Sequence, residues 1–192
     1  MIEMTLIITL GAIAFLLVLS AFFSGTETAL TGSSRPLMHQ LEQRGNRNAR
    51  LVNRLHERQA HLIGTILIGN NLVNILASAL ATSALITAFG EAGIAYATLI
   101  MTALVVMFSE ILPKTYALQN PDRVALRVAP VIRPIVFLLS PFTRTTSSVV
   151  RIALKIFGVR LNEPDGFVSR AEELRGAIEL HDGDDEAIGH ER

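Results

Sequence analysis

Lysine and arginine are absent from residues 1–34 and again from 59–113, and this partition restricts the possible folds more than any other feature of the chain. A soluble domain of 192 residues spreads its charges over a hydrated surface. Here half the residues are apolar, and each block without basic residues exceeds the roughly 20 residues that cross a hydrocarbon core of about 30 Å. The formal net charge of zero hides a segregation, because residues 163–192 hold ten of the 17 acids. Such a chain is an integral membrane protein.

Three spans are predicted, over about Thr5–Leu30, about Leu62–Phe89, and from about Gly93 to Leu112 or slightly beyond. The start lacks a positive n-region, and the apolar run Leu6–Phe23 is longer than a usual signal-peptide core, so a retained span is expected there. The short turn Phe89-Gly90-Glu91-Ala92-Gly93 makes the second and third spans antiparallel neighbours.

Six arginines (Arg35, Arg44, Arg47, Arg50, Arg54, Arg58) against two glutamates separate the first span from the second, and Lys114, Arg123, Arg127 and Arg133 follow the third. The positive-inside rule puts both segments in the cytoplasm, with the N-terminus and the Gly90 turn outside and the C-terminus inside. Within 130–158, Arg144, Arg151 and Lys155 share one helical face and Val149, Val150, Ala153, Ile156 and Phe157 lie largely opposite. That pattern predicts an amphipathic helix in the cytoplasmic interface rather than a fourth crossing. The fold class is therefore all-α integral membrane. Its transmembrane domain, with juxtamembrane helices, is expected over 1–162. From 163 to 192 an acidic cytosolic helical segment begins, with a capping box at Ser169-Arg170-Ala171-Glu172.

Each span carries one polar cluster: Ser24-Gly25-Thr26-Glu27-Thr28, then Gly69-Asn70-Asn71 with Asn74 a turn later, then Ser109-Glu110 followed by Pro113. Glu110 is the only charged residue between Ile94 and Pro113. A carboxylate in hydrocarbon costs a few kcal/mol, about 2.5–3.5 on insertion scales, so it marks a functional site unless something offsets it. Counted inward from the basic flanks at about 1.5 Å per residue, Ser24, Asn70 and Glu110 fall at similar depth, roughly 5–15 Å from the boundary. Pro113 cannot donate to the Ser109 carbonyl, and is expected to break the helix and free that oxygen. Ser24-Gly25 and Gly69-Asn70 are further expected points of unwinding.

The resulting ligand set is hard oxygen, suited to Mg²⁺, Ca²⁺ or Na⁺, and charge counting does not choose among them. The chain has no cysteine, and its five histidines lie outside or at the rim of the apolar blocks, which argues against a soft transition-metal site. Structural roles compete for several of these residues. Asn71 and Asn74 suit interhelical hydrogen bonds, and Thr26 and Thr28 suit bonds to their own helix. Glu27 is within reach of an arginine such as Arg35, and Glu110 of Lys114.

The strings Phe23-Ser24-Gly25-Thr26-Glu27-Thr28-Ala29-Leu30, Gly69-Asn70-Asn71-Leu72-Val73-Asn74-Ile75 and Ser109-Glu110-Ile111-Leu112-Pro113-Lys114, taken together and in order, resemble the membrane domain of the CorC/cyclin M (CNNM) family. The resemblance implies a homodimeric Mg²⁺ transporter of the cell (plasma or inner) membrane, proposed to export Mg²⁺ using Na⁺. It also implies three transmembrane helices and a juxtamembrane helical belt. Ser24, Asn70, Ser109 and Glu110 then match the Mg²⁺-holding positions, with Gly25, Glu27 and Asn74 as supporting or coupling-ion positions. An ATP-binding CBS pair is expected in the full-length protein and is absent from these 192 residues. A transporter of Na⁺ or another cation, and a non-transporting Mg²⁺-sensing scaffold, are the alternatives. No nucleophile–base pair or phosphate loop suggests an enzyme, and the basic segment Arg35–Arg58 reads as topogenic and lipid-facing rather than as a nucleic-acid site.

Overall fold

A computed structural model of the chain describes residues 2–156, all helical apart from short turns. The order is α1 (Ile2–Gly32), α2 (Arg35–Gln43), α3 (Arg47–His56), α4 (Gln59–Phe89), α5 (Ala92–Leu104), a π-helical segment (Val105–Ile111), α6 (Leu112–Gln119) and α7 (Pro121–Ile156). Residues up to Ser147 belong to one compact unit, and a second begins at Ser148. The acidic stretch 163–192, with its capping box, lies outside the described residues.

Helices α1 and α4 are apolar on nearly every face, as a helix surrounded by hydrocarbon and protein must be. Phe15, Val18, Ile75 and Leu99 are exposed although large and apolar, which is the expected arrangement of a lipid-facing surface. Among the described residues, four stretches are long and apolar enough to cross a membrane: Met4–Gly32, Gln59–Phe89, Ala92–Gln119 and Pro121–Thr143. The first three coincide with the expected spans. The fourth contains residues expected at the interface, because α7 runs as one helix from Pro121 to Ile156, through Pro130, Pro134 and Pro141. The helical part of that expectation holds through Ile156, while the side chains of Arg144, Arg151 and Lys155 lie outside the description.

Helix α1 is the axis of the bundle. Ile13 packs with Ala77, Ala81 and Met101 at one end of it. Further along, the Ser20 hydroxyl donates to Asn70 Oδ1 at 2.8 Å and the Ser109 hydroxyl to the Leu17 carbonyl at 3.1 Å. These pairings run α1 antiparallel to α4 and parallel to α5–α6. Gly90, with φ of 62°, makes the tight α4–α5 turn that antiparallel packing needs.

The α2–α3 hairpin closes the other end. Ser34 caps α2 by accepting from the Leu37 N–H, and Asn46 caps α3 by accepting from Asn48 and Ala49. Met38, Ala49, Val52 and Leu55 turn inward to the main core beside Leu30, Ala125, Ala129 and Ile132, leaving Arg47, Arg50 and Arg54 outward. Two contacts fix the hairpin junction. His56 Nε2 lies 2.7 Å from the Leu30 carbonyl at the end of α1, and the Ser34 N–H donates to Asp122 Oδ1 at 2.8 Å. Thr65 of α4 and Thr143 of α7 share a buried hydroxyl–hydroxyl bond of 2.7 Å.

Candidate functional site

Helix α1 passes unbroken through Ser24-Gly25, and α4 through Gly69-Asn70, so the expected unwinding at these pairs does not occur. Gly69 serves close approach instead. A Cβ on Gly69 would stand 2.8 Å from Cζ of Phe23, and one on Gly25 would stand 3.4 Å from Cβ of Pro113. Gly69 lets α1 and α4 come together at the level of the polar residues, whereas at Gly25 the Pro113 ring lies at ordinary contact distance. Phe23 therefore faces α4 and Gly25 faces α6. Ser24, about 100° round the helix from each, points into the seam between them.

Pro113 also departs from expectation. It does not break the helix, which continues from the π segment into α6, but its missing N–H leaves one carbonyl a turn back without a backbone donor. The irregularity lies just before it, in the π segment Val105–Ile111, where the Leu112 N–H reaches five residues back to the Met107 carbonyl. A π segment widens the helix by one residue per turn and occurs often at functional sites. Ser109 and Glu110 both lie in it.

Among the described residues, four buried polar atoms have no hydrogen-bond partner: Ser24 Oγ, Thr26 Oγ1, Asn74 Oδ1 and His56 Nδ1. Ser24 is fully buried. An unmade buried hydrogen bond costs about 1–3 kcal/mol, so each such atom calls for a cause. Thr28 differs, because its hydroxyl donates to the Ser24 carbonyl at 3.2 Å. In the unbroken helix that oxygen also accepts the Thr28 N–H, so both of its lone pairs are engaged.

Glu110 is half-buried and makes no hydrogen bond or ion pair among the described residues, so the pairing with Lys114 is not formed. Glu27 is likewise half-buried without an ionic partner, while Arg35 donates to the Gln59 side chain. Asn70 is held against α1, Asn74 is partly buried, and Asn71 is exposed. The structure thus brings Ser24, Asn70, Ser109 and Pro113 around one stretch of α1, with Glu110 adjacent to Ser109. Direct bonds among Ser24, Asn70 and Glu110 are not present. Ser20, the partner of Asn70, was missed by sequence reasoning. Its signal was its place one turn before Ser24, on nearly the same face of α1.

No three His, Cys, Asp or Glu side chains converge among the described residues. A cation here would meet one carboxylate and neutral oxygens, which is hard-ligand chemistry.

Residues 11–190 match the family model described as the Cyclin M transmembrane N-terminal domain. The chain is 38% identical over 161 residues to the UPF0053 inner membrane protein YfjD of Escherichia coli, covering 83% of this chain and 37% of that protein. It is 35% identical over 162 residues to a UPF0053 protein of Haemophilus influenzae, covering 84% and 38%. It is also 36% identical over 183 residues to a chloroplastic DUF21 domain-containing protein of Arabidopsis thaliana, covering 90% and 27%. The chain thus spans well under half the length of these relatives. With its long apolar helices and a family match over nearly its whole length, this multi-pass membrane chain belongs to the Cyclin M transmembrane N-terminal domain family.

Proposed function

We propose that this domain binds and transports Mg²⁺ through a partly dehydrated site between α1, α4 and the π segment. The observation that carries the reading is the fully buried, unpartnered Ser24 hydroxyl, together with a half-buried Glu110 in the π segment that makes no ion pair among the described residues. A bound cation supplies what both groups lack. It offsets the cost of an intramembrane carboxylate and satisfies the orphaned oxygen. Glu110 provides the charge, and Asn70, Ser24 and main-chain oxygen near Ser24 and Ser109 provide neutral ligands. Gly25, Glu27 and Asn74 line its approaches.

Three spans with the N-terminus outside, and α7 at the cytoplasmic interface of the cell (inner) membrane, fit this reading. Arg133 is exposed near the midpoint of Pro121–Thr143, where a lipid-facing guanidinium is costly. The exposed Pro130, Pro134 and Pro141 deprive the Leu126, Pro130 and Phe137 carbonyls of their helical donors. Water at the interface satisfies such oxygens; hydrocarbon does not.

Export, coupling to Na⁺, and assembly as a homodimer are further parts of the proposal. One full charge among neutral dipoles suits either ion, so Na⁺ is expected to compete with Mg²⁺ for the site. Titration of purified protein with Mg²⁺, wild type against Glu110→Gln, tests the reading. Loss of binding together with loss of Mg²⁺ flux in liposomes supports it; equal affinity removes Glu110 from the site. Binding without any flux by the wild type favours a sensing scaffold.

A further inference from the structure

The Ser20–Asn70 hydrogen bond has an orientation that a cation site cannot use directly. Ser20 Oγ donates to Asn70 Oδ1 at 2.8 Å, and both residues are buried, at 0% and 8% exposure. The amide therefore presents its oxygen to Ser20. Its Nδ2 group makes no hydrogen bond among the described residues. An N–H pair repels a cation, whereas Oδ1 attracts one.

We infer that Ser20 is a positioning residue whose hydroxyl lets the Asn70 amide turn over when a cation arrives. The inference rests on the proposed cation site and assigns this residue a task within it. Rotation by about half a turn about the Cβ–Cγ bond exchanges the two ends of the carboxamide, which are nearly equal in shape. Oδ1 then faces the ion, and Nδ2–H donates to Ser20 Oγ. The Ser20 proton, released from Oδ1, turns to the Leu16 carbonyl four residues back, a common acceptor for a serine within a helix. Every hydrogen bond lost is replaced. The α1–α4 contact persists in both states, so loading the site does not require these helices to separate.

A hydroxyl is suited to this task because it donates and accepts with one oxygen. Alanine at position 20 does neither and leaves one end of the amide unpaired in either orientation. Threonine keeps the oxygen, and its extra methyl group is tolerated on a helix. The Ser24 hydroxyl, one turn along α1 and about 40° round it, is the unpartnered oxygen that shares the seam with the turned amide.

The test is Mg²⁺ titration of the full 192-residue chain in detergent or nanodiscs, with a two-residue mutant cycle. Ser20→Ala is expected to weaken Mg²⁺ binding about 10–100-fold, the range for partners that orient metal ligands. Ser20→Thr is expected to restore wild-type affinity, and Ser20→Ala added to Asn70→Ala to cost nothing further. The side-chain ¹⁵N resonance of Asn70 in wild-type protein is expected to shift on adding Mg²⁺, a reading that needs no folded variant. Wild-type affinity in Ser20→Ala, additive losses in the double variant, or an unmoved Asn70 resonance overturns the inference. If Asn70→Ala itself leaves Mg²⁺ binding unchanged, the cation-site reading fails first, and this inference with it.

Discussion

The tip of the Phe23 ring rests on Gly69 so closely that a Cβ there would stand 2.8 and 2.9 Å from Cζ and Cε1. This contact sets the spacing of α1 and α4 at the level of Ser24 and Asn70. Gly69→Ala must displace the ring or part the helices, and overpacking of this kind costs about 1–3 kcal/mol. Thermal unfolding in detergent is expected to show a lowered midpoint for Gly69→Ala. Adding Phe23→Leu, which shortens the ring's reach, is expected to recover part of the loss.

Ser24 and Ser109, both fully buried, should respond oppositely to loss of their hydroxyls. Ser109→Ala removes a bond to the Leu17 carbonyl and is expected to lower stability by about 1 kcal/mol. Ser24→Ala removes a buried hydroxyl that has no protein partner, so ion-free stability is expected to hold or rise. Its Mg²⁺ affinity is nevertheless expected to fall. Paired melting curves with and without Mg²⁺ check both, because a ligand that binds the folded state raises the midpoint only while the site is intact.

The hairpin carries a pH dependence of its own. Glu42 accepts from Asn53 Nδ2 at 2.6 Å and Arg50 Nε at 3.2 Å, and these contacts, the Asn53 bond foremost, hold its pKa below the usual 4.5. A carboxylate whose folded pKa is lowered stabilises the folded state above its unfolded pKa, and the contribution disappears as pH falls through the folded value. Hydrogen exchange of α2 and α3 amides is therefore expected to speed up as pH drops below 4.5, beyond the intrinsic trend. Glu42→Gln is expected to flatten that acid response. The group is only half-buried, so high salt should blunt the effect.

Topology is open to a direct check because the chain contains no cysteine. Single substitutions Arg44→Cys in the hairpin link and Ile156→Cys at the end of α7 both sit at exposed positions. A three-span arrangement places both on one side, so an impermeant thiol reagent should label them together in sealed vesicles. Labelling from opposite sides means that Pro121–Thr143 crosses the membrane.

The residues that drew attention in the sequence were those whose presence in hydrocarbon is costly. Glu110 stood out by charge, and the polar strings around Ser24 and Asn70 by contrast with apolar neighbours. What escaped was the form of the irregularity. Glycine and proline signal helix breaks from sequence, but here Gly69 is spent on close helix approach and Pro113 sits in a helix that continues through it. The π segment has no breaker within Val105–Ile111 and was invisible to pattern reading. Ser20 escaped too, because a lone serine in a span differs from a packing serine only through the partner across the interface. Helix α7 read as interrupted because three prolines and Arg133 suggest a boundary, yet prolines placed on its exposed face leave its continuity intact.

The most direct measurement is anomalous diffraction from crystals of this chain grown with Mn²⁺ in place of Mg²⁺. The account predicts one peak per chain in the seam of α1, α4 and the π segment, about 2.0–2.3 Å from a Glu110 carboxylate oxygen and Asn70 Oδ1, with Ser24 within reach. A strong peak elsewhere, or none in this seam when Mn²⁺ binds the protein in solution, contradicts it.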